Sequence, residues 1–254
     1  DDFTELRSIG YRLMTALADQ PDYSSKSTEY FQQVRPEMLQ YVPAHCRRVL
    51  DVGCAEGNFG ASLKRALGLE VWGVEPTKSA AEAAATKLDR VIEGLFGPET
   101  GLPAKTFDCI FFNDVLEHMP EPELALRYAK DLLAPDGVIV ASIPNIRYFP
   151  AVYQLIIHAQ WEYADSGILD RTHLRFFTRF SIINMFEREG FALESIRGIK
   201  GYDGPHNIHR PLWWAFSVAN ILALNRFDDM RFLQFAVVAK PTVTRTEGNR
   251  GKSR

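Results

Sequence analysis

The chain has 254 residues, of which 46% are hydrophobic, and carries a formal net charge of −3 at pH 7. This length allows one large α/β domain, and the slightly acidic charge argues against a protein that binds nucleic acid through phosphate attraction. Three cysteines without a CxxC spacing fit no disulfide framework, and no apolar run reaches the roughly 18 residues of a transmembrane helix. We therefore expect a cytoplasmic protein.

The first predicted elements are helical. Residues 1–47 have a polar, helical pattern and form an N-terminal segment ahead of a strand at 48–53. NFGASLKRALG then predicts a helix that ends at Gly68, since glycine commonly ends helices. EVWGVEP is a second short strand, and alanine-rich KSAAEAAATKL is a second helix.

The next elements continue the alternation of strands and helices. RVIEG is a weak strand, and FDCIFFND is a continuous apolar run, as expected for a strand that is buried on both faces. EPELALRYAKDLLAPDG is a helix that ends in proline and glycine, and GVIVASIP is a fifth strand. An alternation of this kind over about 100 residues predicts a parallel sheet with right-handed crossovers.

The pattern loosens after the fifth strand. Residues 145–177 and 198–230 are rich in aromatic side chains, and we expect them to be insertions on the substrate side. Between them, TRFSIINMFEREG predicts a helix that Thr178 caps and Gly190 ends. FALESIRGI and RFLQFAVVAK are two further strands, and residues 241–254 are typical of a disordered tail.

The stretch VLDVGCAEGNFG ends the first strand in a glycine-rich turn. Asp51 precedes the turn, and the helix that follows offers free backbone N–H groups to a closely approaching ligand. Glu75 ends the second strand about 20 residues later, where an acid can accept both hydroxyls of a ribose. The glycine spacing differs from the dinucleotide fingerprint GxGxxG, and no GxxxxGK[ST] motif is present. We therefore expect a nucleoside-like ligand without a pyrophosphate.

Four successive motifs, VLDVGCAEGNFG, VWGVEP, FDCIFFNDVLEHMPEP and LLAPDGVIVASIPN, resemble those of class I S-adenosylmethionine-dependent methyltransferases. GILDRTHLRFFT resembles a stretch of bacterial methyltransferases that act on sugars or small metabolites. The resemblance implies an α/β domain over residues 48–240, Rossmann-like and doubly wound. Its seven-stranded sheet would be mostly parallel with an antiparallel last strand, accompanied by N-terminal helices and a helical, aromatic insert near the C-terminus.

The resemblance also implies S-adenosylmethionine as the cofactor, covered by the N-terminal segment 1–47. Glu75 would hold the ribose hydroxyls, and Pro76 would lie beside the adenine. Many family members carry Gly-Asp after the third strand, whereas Leu95 and Phe96 stand here, so these two side chains are expected to pack against the adenine. The other implied cofactor contacts are Tyr30, Arg35, Asp51, Gly53, Cys54, Gly57, Asn113, Asp114 and His118.

An alcohol must lose its proton when its oxygen attacks a methyl group, and histidine is the natural base near neutral pH. We predict His173, in LDRTHLRFF, as the general base, with Asp170 or Arg171 as an orienting group; a loop-anchoring role for His173 is the alternative. His118 is a second candidate. The predicted substrate contacts are Tyr148, Tyr153 and Arg171.

A metal site is an alternative for part of this region. Asp114, Glu117 and His118 have the spacing of one helical face and offer ligands to a divalent ion. Three ligands from one short segment form an incomplete site, so we predict no metal.

The sequence thus predicts an enzyme that methylates a hydroxyl of a small molecule, with a sugar or a glycan end in polysaccharide biosynthesis as the expected acceptor. The alternatives are a quinone-type lipid O-methyltransferase at a membrane surface, with PLWWAFSVANILAL as an interfacial helix, and a non-catalytic nucleoside-binding module. The aromatic segments are also compatible with the interface of a homodimer. The net charge, and the lack of an Asn-Pro-Pro-Tyr-like run at NDVL, disfavour a nucleic-acid acceptor.

Overall fold

The computed structural model of the chain describes residues 34–201 and 210–242. Its strands are β1 (Arg48–Val52), β2 (Glu70–Glu75), β3 (Arg90–Glu93), β4 (Phe107–Asn113), β5 (Leu133–Pro144), β6 (Phe191–Gly201) and β7 (Phe232–Pro241). They form one sheet in the order β3-β2-β1-β4-β5-β7-β6. Neighbouring strands are parallel except where β7 pairs antiparallel with β5 and β6. The predicted seven-stranded, mostly parallel sheet with an antiparallel last strand is confirmed.

The helices of the described residues alternate with the strands in the first part of the chain. They are α1 (Asn58–Leu67), α2 (Lys78–Ala85), α3 (Pro122–Leu132), α4 (Phe149–His158), α5 (Arg179–Arg188) and α6 (Arg210–Leu222). Short 3-10 helices cover Pro36–Tyr41, Pro98–Thr100, Leu116–His118 and Asp228–Arg231.

Strand β4 lies at the centre of the sheet, and its apolar run follows from burial on both faces. Ile110 and Phe112 face one hydrophobic cluster, which includes residues of α3 and α5. Cys109 and Phe111 face the other, which includes residues of α1 and α2. Because helices cover both faces, each side chain of the strand gains by being apolar.

Helix α5 begins at the predicted cap. The Ser181 N–H donates to Thr178 Oγ1 (3.2 Å), and the Thr178 N–H donates to Ser181 Oγ (2.9 Å). This reciprocal pair satisfies two backbone donors that the first turn of a helix leaves free. Gly190 follows the helix with a φ of +72°, as expected for the residue that ends it.

Helix α4 lies in a segment that the sequence pattern describes as irregular. Its ten residues include no buried side chain, and its apolar side chains surround the axis instead of forming one stripe. A helix without a polar face has no period for a sequence pattern to reveal. The Phe149 ring packs against the Phe216 ring of α6, with centroids 4.3 Å apart. Across the ranges 34–201 and 210–242, every helix is too short or too polar to span a bilayer.

Candidate active site

A cavity of about 220 Å³ lies where β1, β4, β5 and β6 end and β7 begins. Parallel strands carry their ligand sites at this edge, because loops and helix N-termini converge there. Of the residues predicted to act in binding or catalysis, those that line the cavity are Arg35, Asp51, Gly53, Cys54, Asn113, Asp114, His118, Asp170 and His173.

The turn after β1 is tied to the end of β2 through one carboxylate. Ala55 N–H donates to Glu75 Oε2 (2.9 Å), and Thr77 N–H donates to Glu75 Oε1 (2.8 Å). Burial raises the pKa of Glu75. Burial, and then the charge of Glu75, raise the pKa of Asp51 to about 8. Asp51 therefore presents to the cavity a buried carboxyl group whose ionised form a cationic ligand would stabilise.

The glycines of this turn are required by protein packing. A Cβ at Gly57 would lie 3.0 Å from Ala84 Cα of α2, and one at Gly53 would lie 2.8 Å from Val115 Cγ2. Gly53 and Gly57 also have left-handed backbones, with φ of +67° and +75°, as does Ala55 at +49°. Both glycines thus have close protein neighbours; Gly53 also lines the cavity, whereas Gly57 does not.

Asp114 follows β4 and belongs to a buried polar network. The Arg35 guanidinium donates to Asp114 Oδ2, to Gln234 Oε1 (3.0 Å) and to Glu37 Oε1 (2.8 Å). Gln234 Nε2 donates to Asp114 Oδ1 (2.8 Å), and Ser142 Oγ donates to the same oxygen (3.2 Å). The guanidinium of Arg35, a predicted cofactor contact, is therefore engaged with protein carboxylates in this structure.

Two histidine rings meet in the cavity lining, where the 3-10 helix Leu116–His118 contacts the loop before α5. His118 Nδ1 lies 3.0 Å from the Thr172 carbonyl oxygen, and His173 Nδ1 lies 2.9 Å from the Ile168 carbonyl oxygen. A carbonyl oxygen only accepts, so Nδ1 carries the hydrogen in each neutral ring and Nε2 carries the basic lone pair. Burial, and then the charge of His173, lower the pKa of His118 to about 4.

Glu117 stands beside these rings and is almost fully buried, with 1% of its surface exposed. Its backbone carbonyl accepts hydrogen bonds from the N–H groups of Leu174 (2.8 Å) and Arg175 (3.0 Å), which fastens the loop to the 3-10 helix Leu116–His118. Within the described residues, neither side-chain oxygen of Glu117 has a hydrogen-bond partner. Burial, and then the charge of Asp114, raise its pKa well above the usual value.

Glu117, His118 and His173 place one ligand atom each within 4.8 Å of one another. The cluster differs from the one that the sequence spacing suggests, because Asp114 is turned toward Arg35 and Gln234 instead. His173 joins from a separate loop, which no spacing along the chain could indicate.

Asp170 lines the cavity, and its Oδ1 accepts hydrogen bonds from Thr172 N–H (2.9 Å) and Thr172 Oγ1 (2.7 Å), which shapes the loop before His173.

Other predicted residues lie away from the cavity. Phe96 packs in the core, with its ring centroid 5.5 Å from that of Phe112. Arg171 is largely exposed and pairs with Asp165. The remaining predicted residues outside the lining are Gly57, Glu75, Pro76, Leu95, Tyr148 and Tyr153, and Tyr30 lies outside the described residues.

The sequence interpretation did not include several residues that line the cavity. These are Ala55, Phe59, Pro144, Ser166, Gly167, Ile168, Lys200, Leu233 and Gln234. Gln234 had a usable signal, since it is the one amide side chain in the apolar strand FLQFAVVA. A polar residue in a buried strand needs a partner, and here it finds Arg35 and Asp114.

Comparisons with known proteins agree with this architecture. Residues 14–196 match the family model described as "Methyltransferase domain". A ubiquinone biosynthesis O-methyltransferase of Actinobacillus pleuropneumoniae is 33% identical over 125 residues, which cover 45% of this chain and 53% of that protein. A trans-aconitate 2-methyltransferase of Methylobacterium radiotolerans is 32% identical over 118 residues, with 45% of each chain covered. The chain thus spans about half the length of these curated relatives.

Solved structures show the same fold at low identity. A SAM-dependent methyltransferase from Archaeoglobus fulgidus superposes with a TM-score of 0.59 and 22% identity, covering 80% of this chain and 91% of that one. A SAM-dependent methyltransferase from Aquifex aeolicus gives a TM-score of 0.53 and 17% identity, covering 84% and 93%.

Proposed function

Because the chain belongs to the family of methyltransferase domains, we propose that it transfers the methyl group of S-adenosylmethionine to a hydroxyl of a small molecule. The observation that carries the proposal is the composition of one cavity. The β1 turn with Asp51 and the cluster of Glu117, His118 and His173 line the same cavity. A donor bound at the β1 turn and an acceptor bound at the cluster would share that cavity.

The lining residues suit the charged end of S-adenosylmethionine. Both amide atoms of Asn113 are buried at the cavity without a partner in the described part of the chain, so a ligand with amino and carboxylate groups would satisfy them. The Asp51 carboxyl lies in the same lining and would stabilise a cation. When bound, the cofactor supplies a methyl group on a cationic sulfonium, which becomes a neutral thioether after transfer.

His173 is the base in this proposal. Its Nδ1–H is fixed by the Ile168 carbonyl, so Nε2 takes the hydroxyl proton as the acceptor oxygen attacks. His118, whose pKa is lowered to about 4, stays neutral and contributes shape and hydrogen bonding instead. Asp170 supports the loop through Thr172 and acts as a positioning residue.

Calorimetry on the full chain tests the donor assignment. We expect S-adenosylmethionine and its demethylated product to bind, and NAD not to bind, because the glycine turn lacks the dinucleotide fingerprint. A protein that binds NAD, or that binds neither nucleoside at high micromolar concentration, would contradict the proposal.

For the acceptor, we propose a sugar or glycan-end hydroxyl first. The DRTHLRFF stretch supports this choice, and it forms the cavity wall that carries Asp170 and His173. An assay of methyl transfer to sugars and to simple phenols would rank these acceptors directly.

A lipid acceptor at a membrane surface is the second candidate, and the surface of α4 and α6 favours it. Ile156 and Ile157 of α4 are 69% and 62% exposed, and Trp214 and Leu222 of α6 are 70% and 79% exposed. These exposed apolar side chains would bury apolar surface at a bilayer interface, and binding strength there increases with the apolar area buried. The two helices lack the basic face of a typical interfacial helix, since Arg210 is their one charged residue. Two of the relatives named above are an O-methyltransferase of ubiquinone biosynthesis and a methyltransferase of a small acid.

Co-sedimentation with vesicles of phosphatidylcholine and phosphatidylglycerol distinguishes the two acceptors. A lipid acceptor predicts binding that Ile156→Ser with Ile157→Ser weakens at least several-fold, whereas Leu67→Ser, a half-exposed site on α1, leaves it unchanged. Absence of vesicle binding would remove the lipid candidate and leave the sugar acceptor.

A further inference from the structure

The side chain of Glu117 is the feature that the proposed reaction leaves unexplained. It lines the cavity, it is 1% exposed, and neither of its carboxyl oxygens meets a hydrogen-bond donor among the described residues. A buried carboxyl group without a partner is unfavourable, so proteins seldom retain one that nothing satisfies. Because the side chain faces the cavity, a bound molecule can supply the missing donor.

The position of Glu117 beside His173 restricts what that molecule is. The two residues, with His118, present ligand atoms within 4.8 Å of one another. A single hydroxyl at His173 uses its only proton on the base and has none for Glu117. Two hydroxyls on adjacent carbons supply two donors at short separation, one for each residue.

We propose that the acceptor is a vicinal diol whose methylated hydroxyl faces His173 and whose neighbouring hydroxyl donates a hydrogen bond to Glu117. The inference rests on the proposed function, since it names the substrate class of the same site. Sugars and catechols both contain such a pair, and the sugar acceptor proposed above remains within the class.

The step balances without a further reactant. The attacking oxygen forms a bond to the methyl carbon, its proton goes to His173 Nε2, and the carbon–sulfur bond of the donor breaks. The neighbouring hydroxyl keeps its proton and its bond to Glu117.

Matched acceptors test the proposal on the full chain. We would compare 3,4-dihydroxybenzoate with 3-hydroxybenzoate, and methyl mannopyranoside with its 2-deoxy analogue. A site built to bond a hydroxyl rejects the analogue that lacks it, so kcat/KM for at least one diol should exceed that of its partner by about 100-fold or more. Mass spectrometry should detect the added methyl group on the diol.

Substitutions at Glu117 separate recognition from structure. Glu117→Leu should lower kcat/KM for the diol about 10- to 100-fold, mainly through KM, and should lower kcat/KM for the monohydroxy acceptor much less. Glu117→Gln keeps an accepting oxygen and should restore most of the loss. Glu123→Gln, at an exposed acid on α3, is the matched control, and melting temperatures verify that each variant folds.

The outcomes distinguish this proposal from the proposed function. Equal use of diols and monohydroxy acceptors, or equal loss for both in Glu117→Leu, would overturn the diol while methyl transfer stands. The diol proposal would also be overturned if no diol reacts, or if no diol binds to the complex of the protein with the demethylated cofactor. In that case, calorimetry with S-adenosylmethionine still tests the proposed function separately. Loss of diol methylation with a chelator and its return with Mg²⁺ would show that a cation holds the diol, against a direct bond to Glu117.

Discussion

The rings of His118 and His173 meet edge to face, with centroids 4.7 Å apart and planes inclined at 72°. They come from segments 55 positions apart in the chain, and each Nδ1 contacts a backbone carbonyl of the loop that carries His173. The contacts fix the orientation of both rings, so the pair forms a defined wall of the cavity.

Replacing His173 by alanine should lower kcat about 10²- to 10⁴-fold, because the acceptor hydroxyl loses the base that takes its proton. The affinity for S-adenosylmethionine should stay within about threefold of the original, since the proposed base acts on the acceptor hydroxyl. Single-turnover methyl transfer and calorimetry measure the two quantities. His158→Ala, at an exposed histidine on α4, should change neither, and a loss of the same size in that variant would remove the assignment.

The acid at the end of β1 predicts how stability depends on pH. Burial raises the pKa of Asp51 from 3.8 to about 8, so between these values the folded protein holds a proton that the unfolded chain has released. The free energy of unfolding therefore falls as the pH rises, by at most about 1.4 kcal/mol per pH unit from this group. In urea titrations from pH 5 to 8, the Asp51→Asn variant should lose that slope. Asp131→Asn, at an exposed acid, should retain it.

The contact between Arg35 and Asp114 should be energetically coupled. Both groups are at least three-quarters buried, and Gln234 bonds to each, so a double-mutant cycle with alanine should give a coupling free energy of about 1–3 kcal/mol. The exposed pair of Arg171 and Asp165 should give less than about 0.5 kcal/mol. Urea denaturation of the variants in both cycles measures the two coupling free energies. Similar coupling free energies in the two pairs would contradict the buried network.

Alanine substitutions at two glycines allow the cost of backbone strain to be measured apart from the cost of a packing clash. Gly57 and Gly101 both have left-handed backbones, so alanine at either position should cost about 1–2 kcal/mol. At Gly57 the added Cβ also meets Ala84, which should add about 1–3 kcal/mol, whereas at Gly101 it meets nothing within 4 Å. Thermal denaturation that shows equal losses for the two variants would mean that α2 moves aside without cost.

The central part of the fold could be predicted because the residue types themselves indicate which strand is buried and where a helix begins and ends. Strand β4 is apolar at successive positions, and only burial on both faces explains such a run. Thr178 and Gly190 likewise mark the two ends of α5 through local chemistry. Helix α4 gave no such signal, because its exposed apolar side chains lack a polar face to set the period.

The candidate site was predictable where strand ends or motifs that resemble those of known methyltransferases supply its residues, as with His173 in DRTHLRFF. The positions of Asp51 and Asn113 in the site could be predicted because these residues lie at the ends of two neighbouring strands. Those of Lys200 and Gln234 could not, since their place at the cavity depends on how β6 and β7 pair at the far side of the sheet. The partnership of Asp114 with Arg35 is also a tertiary fact, because 79 positions separate the two residues in the chain.

The reversed direction of β7 has a consequence for altering this protein. Since β6 ends at the cavity and β7 begins there, both ends of the connection from 201 to 232 lie next to lining residues, Lys200 and Leu233. Exchanging that connection between related chains should therefore change acceptor preference as a cassette and leave the sequence of the β1 turn intact.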